Sequence, residues 1–115
     1  MDLNAYQHQA NQTALYREKK LGPVLYPALK LAGEAGEVDE KIGKLIRDQD
    51  WDGKVDSLSE GTKNELAKEI GDVLWYCATL SYDLGFNLEQ VAQMNLNKLS
   101  SRKERGVIGG SGDNR

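Results

Sequence analysis

The sequence predicts an all-α fold, a bundle of four to five helices completed by oligomerisation, and three observations carry that expectation. The pattern L-A-x-E-x-G-[E/D]-V occurs twice, at Leu31–Val38 and at Leu66–Val73. Apolar residues recur at helical spacing in four separate segments. Only two prolines occur in 115 residues, Pro23 and Pro27, so the remainder is free to be helical.

Length and composition bound the rest. A chain of 115 residues is one domain, residues 1–115, ending in a glycine-rich tail over 105–115. A net charge of −3 argues against a protein that grips a nucleic-acid backbone. Cys77 is the sole cysteine, which excludes an intrachain disulfide and places a buried thiol on an apolar stripe. No basic segment leading into an apolar run opens the chain, and no stretch approaches a membrane span, so a soluble, cytoplasmic protein is expected.

The first helix is expected from residue 3 to about residue 17, capped by Asp2, with Leu3, Tyr6, Ala10 and Ala14 on one face. The basic run Arg17–Lys20 then meets Leu21-Gly22-Pro23, where glycine and proline mark a break. A second helix should start near Tyr26-Pro27, since proline suits a first turn, and run to about Arg47. The segment Asp48–Asp56 follows. It matches D-x-D-x-D-G, the opening of a calcium-binding loop, but Ser59 stands where a bidentate glutamate is needed and Glu60 comes one residue late. A polar interhelical loop packed down by Trp51 is the default reading, with a calcium-binding module as the alternative.

The third helix is expected from about Thr62 to about Leu84, ending at Gly85. Its apolar residues extend around the helix through Leu74, Trp75 and Ala78. A helix apolar on both sides is usually sandwiched, and another subunit is the expected second partner. Asn87 caps a fourth helix with Gln90 in the capping-box position. Asn95 interrupts the apolar stripe of that helix, and Lys98 and Arg102 lie on its edge. Such groups need partners, either the acids of other helices or a bound anion.

The two copies of the repeat raise a physical problem. On a helix, Leu31, Ala35, Val38, Ile42 and Leu45 make one apolar stripe, with Glu34 about 60° to its side and Glu37 about 60° further. Leu66, Ile70, Val73, Cys77 and Leu80 repeat that stripe, with Glu69 and Asp72 at the same two angles. Packed through their stripes, the helices would line one edge of the seam with four carboxylates. Clustered acids repel and resist desolvation, so they protonate, find cations or hold a metal. Only Glu37 has a lysine four residues on, Lys41, although Lys30 and Lys68 could reach back to Glu34 and Asp72. Hard oxygen donors without a neighbouring cysteine or histidine favour magnesium, or manganese, over zinc.

An acidic site bordered by Asn95, Lys98 and Arg102 suits a polyanion that arrives with its own magnesium, such as a nucleoside triphosphate. No G-x-x-x-x-G-K-[S/T] loop is present. Tyr76 falls at the angle of Glu69 and Asp72 and can border the site. Trp51, Tyr82 and His8 are further candidates for contacting a base.

Glu34-x-x-Glu37 followed by Glu69-x-x-Asp72 resembles the E-x-x-E…E-x-x-D signature of the MazG-like all-α nucleoside triphosphate pyrophosphohydrolases. Asn95, Lys98 and Arg102 resemble the N-x-x-K-x-x-x-R helix of that family. The similarity runs from about Tyr26 to Arg115, and the G-x-x-x-G-S-G-D-N-R ending looks like the short, stand-alone members of bacterial, phage or mobile-element origin. One departure is Gly33, which stands where many members carry a further glutamate. The resemblance implies a helical bundle assembled as a dimer or dimer of dimers. It also implies magnesium-dependent cleavage of (deoxy)nucleoside triphosphates between the α and β phosphates, and a role in cleansing the nucleotide pool. Glu34, Glu37, Glu69 and Asp72 would then hold magnesium and carry catalysis, and Asn95, Lys98 and Arg102 would contact phosphate or sugar. A purely structural helical oligomer is the remaining alternative, resting on the apolar breadth of the third helix.

Overall fold

The computed structural model describes residues 1–115 and contains four α-helices and no strand: α1 (Leu3–Asn11), α2 (Leu25–Gln49), α3 (Glu60–Asp83) and α4 (Leu88–Glu104), with short 3₁₀ turns at Leu15–Glu18 and Val55–Ser57. The all-α expectation holds. The first helix is shorter than its periodicity suggests. Asp2 caps it, its carboxylate accepting from the Ala5 N–H at 2.7 Å, but the helix stops at Asn11. There the Thr13 hydroxyl donates to the Ala10 carbonyl at 3.0 Å, competing with the main chain for that acceptor. Ala14 stays buried although it lies beyond the helix.

Pro27 is buried in the first turn of α2, where its missing N–H costs nothing. Asp50, in the left-handed conformation, ends α2, and the Trp51 N–H returns to the Leu45 carbonyl. Ser59 caps α3 by accepting from the Thr62 N–H, so α3 begins two residues earlier than expected. Gly85, at φ 88°, closes α3, with the Phe86 N–H on the Ser81 carbonyl. At α4 the capping box of Asn87 and Gln90 is present as expected.

The helices α2 and α3 form an antiparallel pair, since Tyr26 meets Tyr76, Glu34 meets Asp72 and Lys41 meets Glu69 in opposite chain directions. Their stripes face each other incompletely: Leu31, Val38, Ile42, Leu66, Val73 and Leu80 are half-buried, whereas Ile70 is 59% exposed. Cys77 is half-buried as well, and burial pushes its thiol pKa up.

The short helix α1 fills the corner between α3 and α4. Ala10, Ala78 and Leu88 are buried together, with Tyr6 and Trp75 packed against them. Buried Gln7 ties the corner: its amide donates to the Ala78 and Phe86 carbonyls at 3.0 and 3.1 Å, and its oxygen accepts from the Leu88 N–H at 3.1 Å. Part of the second apolar face of α3 therefore finds its partner in the same chain. Trp75 and Ala78 pack against α1, because the chain break after Asn11 lets so short a helix lie across α3, while Leu74 stays 39% exposed.

Candidate metal centre

The regular pitch of α2 and α3 brings the two acidic repeats together. Glu34, Glu69 and Asp72 each offer a carboxylate oxygen, and these oxygens lie within 4.8 Å of one another. Glu37, on the same helix one turn beyond Glu34, is exposed and stands outside this group. Two lysines of α2 approach the cluster: Lys30 Nζ lies 3.8 Å from Glu34, and Lys41 Nζ lies 3.5 Å from Glu69. Lys41 thus crosses to the other helix instead of pairing with Glu37, its neighbour four residues back. Lys68 pairs with Glu65 and not with Asp72. The α2–α3 seam brings Glu69 within reach of Lys41, whereas Lys68 finds its acid one turn back on its own helix.

Beside the cluster, Glu34 and Asp72 share a cleft of about 370 Å³ with Thr13, Trp75 and Tyr76. The Trp75 indole N–H donates to the Thr13 hydroxyl at 2.9 Å, and the Trp75 and Tyr76 rings meet edge to face at 4.9 Å. Burial, then the adjacent Tyr26, then the Glu34 and Asp72 charges push the Tyr76 pKa well up, so its hydroxyl remains a proton donor at neutral pH. Tyr6 is likewise raised, by burial first and by Asp72 next.

The remaining candidates lie elsewhere. Asn95 is exposed and makes no side-chain hydrogen bond within the chain. Lys98 Nζ donates to the Asp113 carboxylate at 2.7 Å. Arg102, buried at 5% exposure, donates to the Gly112 and Asp113 carbonyls and to the Asp113 carboxylate. Within one chain neither cation pairs with Glu34, Glu69 or Asp72. The glycine-rich tail after α4 is not helical, but it is built: Arg115 gathers the carbonyls of Val107, Ile108, Gly109 and Gly112 at 2.6 to 3.2 Å.

The residues weighed for base contacts also separate. Tyr76 lines the cleft, whereas Tyr82 stacks under the Arg17 guanidinium at 4.6 Å and Trp51 donates to the Lys54 carbonyl. His8 lies near Gln12, on the exposed side of α1. In the loop that resembles a calcium site, Asp52 spends its carboxylate on the Lys54 N–H and the Ser57 hydroxyl, and Asp48 pairs with Arg47. These aspartates do not gather into a cation-binding group.

Sequence reading missed Thr13 and the Asp113–Arg115 system. Thr13 carries no signal, since only the fold brings α1 against α3. An arginine closing a run of glycines was the available sign for the tail.

Comparison with known proteins bears on this geometry. Residues 26–107 match the family model of the MazG nucleotide pyrophosphohydrolase domain. The Gene 37 protein of Mycobacterium phage L5 is 42% identical over 119 aligned positions that cover the whole of both chains. No solved structure matches.

Proposed function

The chain belongs to the MazG nucleotide pyrophosphohydrolase family, and from that premise we propose that it hydrolyses nucleoside or deoxynucleoside triphosphates between the α and β phosphates. The products are a nucleoside monophosphate and pyrophosphate, and the role is removal of unwanted nucleotides from the cytoplasmic pool. One observation carries the reading: Glu34, Glu69 and Asp72 converge from two helices beside a cleft walled by Trp75 and Tyr76.

This donor set fits a hard divalent cation. Three carboxylate oxygens within 4.8 Å of one another, approached only loosely by Lys30 and Lys41, suit magnesium, or manganese, better than a softer metal. Glu37, one helical turn from Glu34, would be the fourth ligand. Bound magnesium supplies charge neutralisation on the phosphates and a lowered pKa for water.

The protein's own groups do the rest. A carboxylate of the cluster accepts the proton of the attacking water as its oxygen bonds to the α phosphorus and the α–β bridging bond breaks, with the electron pair leaving on pyrophosphate. Tyr76, protonated at neutral pH, donates to the bound nucleotide from the cleft wall. Asn95, Lys98 and Arg102 donate to phosphate or sugar oxygens.

A single domain over residues 1–115 acts here as a homo-oligomer, a dimer or a dimer of dimers. Its radius of gyration is 17.2 Å, against about 13 Å for a compact chain of this length. Large apolar side chains remain open on three helices, among them Leu29, Ile70 and Leu96.

The test is pyrophosphate release from the eight common ribo- and deoxyribonucleoside triphosphates, with magnesium, manganese, calcium or chelator. Magnesium-dependent release is the expected result, abolished in Glu69→Ala and Asp72→Asn while the helical content persists. A variant that stays active, or turnover in chelator, would sink the proposal.

A further inference from the structure

Arg115 reaches back from the chain end and collects four backbone carbonyls, those of Val107, Ile108, Gly109 and Gly112. The peptides are all trans, so each amide N–H points opposite to the carbonyl it is bonded with. The N–H groups of Ile108, Gly109, Gly110 and Asp113 are therefore turned away from the guanidinium, and none donates to an acceptor in the protein. The glycines make this possible: Gly106, Gly110 and Gly112 have φ of 70°, 97° and 87°. Two cations stand against the same loop. Lys98 and Arg102 both reach the Asp113 carboxylate, which stays 73% exposed and whose pKa is lowered, first by the bond from Lys98. Arg102 also carries an orphan: its Nε is buried and donates to nothing, although the residue is only 5% exposed.

We propose that the loop of residues 106–115, with Lys98 and Arg102, is a preorganised site for the phosphate chain, in which Arg115 is the positioning residue that turns the loop's N–H groups outward. Outward peptide N–H groups beside fixed cations suit tetrahedral phosphate oxygens, because they hold fixed positive charge at no further ordering cost. Asp113 anchors the loop to α4 through Lys98 and Arg102. The inference rests on the reading of Lys98 and Arg102 as phosphate contacts and extends it to the loop that Asp113 ties to them.

Pyrophosphate binding to the full chain, measured by calorimetry in chelator, isolates this site from the metal centre. Wild type binds, and Arg115→Lys weakens binding about tenfold, as Arg115→Ala does, because a lysine keeps the charge but cannot fork to four carbonyls. Gly110→Ala, which leaves every charge in place, weakens it similarly. Circular dichroism of each variant checks that α1 to α4 persist. Wild-type affinity in Arg115→Lys would overturn the inference, since charge alone would then suffice. Tighter binding in Arg115→Lys would overturn it too, by making the loop a competitor for Lys98 and Arg102. Absence of pyrophosphate binding to wild type would do the same. The two proposals fail separately: release of pyrophosphate from a triphosphate with unchanged Arg115→Lys kinetics defeats only the loop, and silence of wild type across the triphosphates defeats the enzymatic reading.

Discussion

Val24 has φ 67° and ψ −59°, and the Leu25 N–H closes onto the Pro23 carbonyl at 2.7 Å. This is a γ-turn of the strained, positive-φ kind, and a β-branched residue occupies its centre. Strain of that sort costs about 1–3 kcal/mol, more than the roughly 1 kcal/mol of added chain entropy that glycine brings. Val24→Gly should therefore raise the melting temperature by a few degrees, as a thermal melt would record. A lowered melting temperature would mean that Val24 packing outweighs the strain. At the same scale, the acids of the repeat were legible in sequence, because Glu34, Glu69 and Asp72 follow from helix periodicity alone. Glu37 obeys the same periodicity yet lies outside the cluster.

At the scale of elements, the connection between α1 and α2 hangs on one carboxylate of α3. Asp83 accepts from the Tyr16 hydroxyl at 2.7 Å, from Arg17 Nε at 2.6 Å and from the Val24 N–H at 3.0 Å. Burial of Asp83 opposes its ionisation, but these donors together outweigh burial and hold its pKa below the ordinary value of 3.8. A depressed folded-state pKa stabilises the protein above the unfolded value, and that contribution is lost as pH falls through the folded one. Asp83→Asn should thus cost about 1–3 kcal/mol at pH 7, with the gap to wild type closing below about pH 4. Denaturant melts at both pH values test this; an equal gap at low pH would assign the loss to packing. Gly22 belongs to the same connection, where an added Cβ would fall 1.7 Å from the Tyr16 carbonyl oxygen. Pro23 and Gly22 announced a break, but nothing local announced that the break would be pinned by Asp83, 59 residues away.

For the whole molecule, only 11 of the 115 residues are buried, which leaves the apolar stripes of α2 and α3 short of cover. Ile70 lies on α3 beside Glu69 with more than half of its surface open. Sedimentation should find the protein as a dimer or larger, and Ile70→Asp should shift it toward a smaller, less stable species, since a charge would have to be desolvated in the contact. A monomeric wild type with unchanged stability in Ile70→Asp would defeat the oligomeric reading. Of the residues that suggested a second partner for α3, Trp75 and Ala78 pack against α1 and Leu74 stays exposed, and further apolar surface lies open on α2, α3 and α4.

The sequence by itself determined the helical class, the caps at Asp2 and Asn87, the doubled acidic repeat and the family resemblance, because each depends on spacing along one chain. Tertiary structure alone decided which acids converge, that Lys41 crosses to Glu69, and that the turn after α1 supplies Thr13 to the cleft. It also decided that Lys98 and Arg102 hold the C-terminal loop. Those outcomes depend on how helices cross and on how loops return, and such long-range geometry is set by the burial of side chains far apart in sequence.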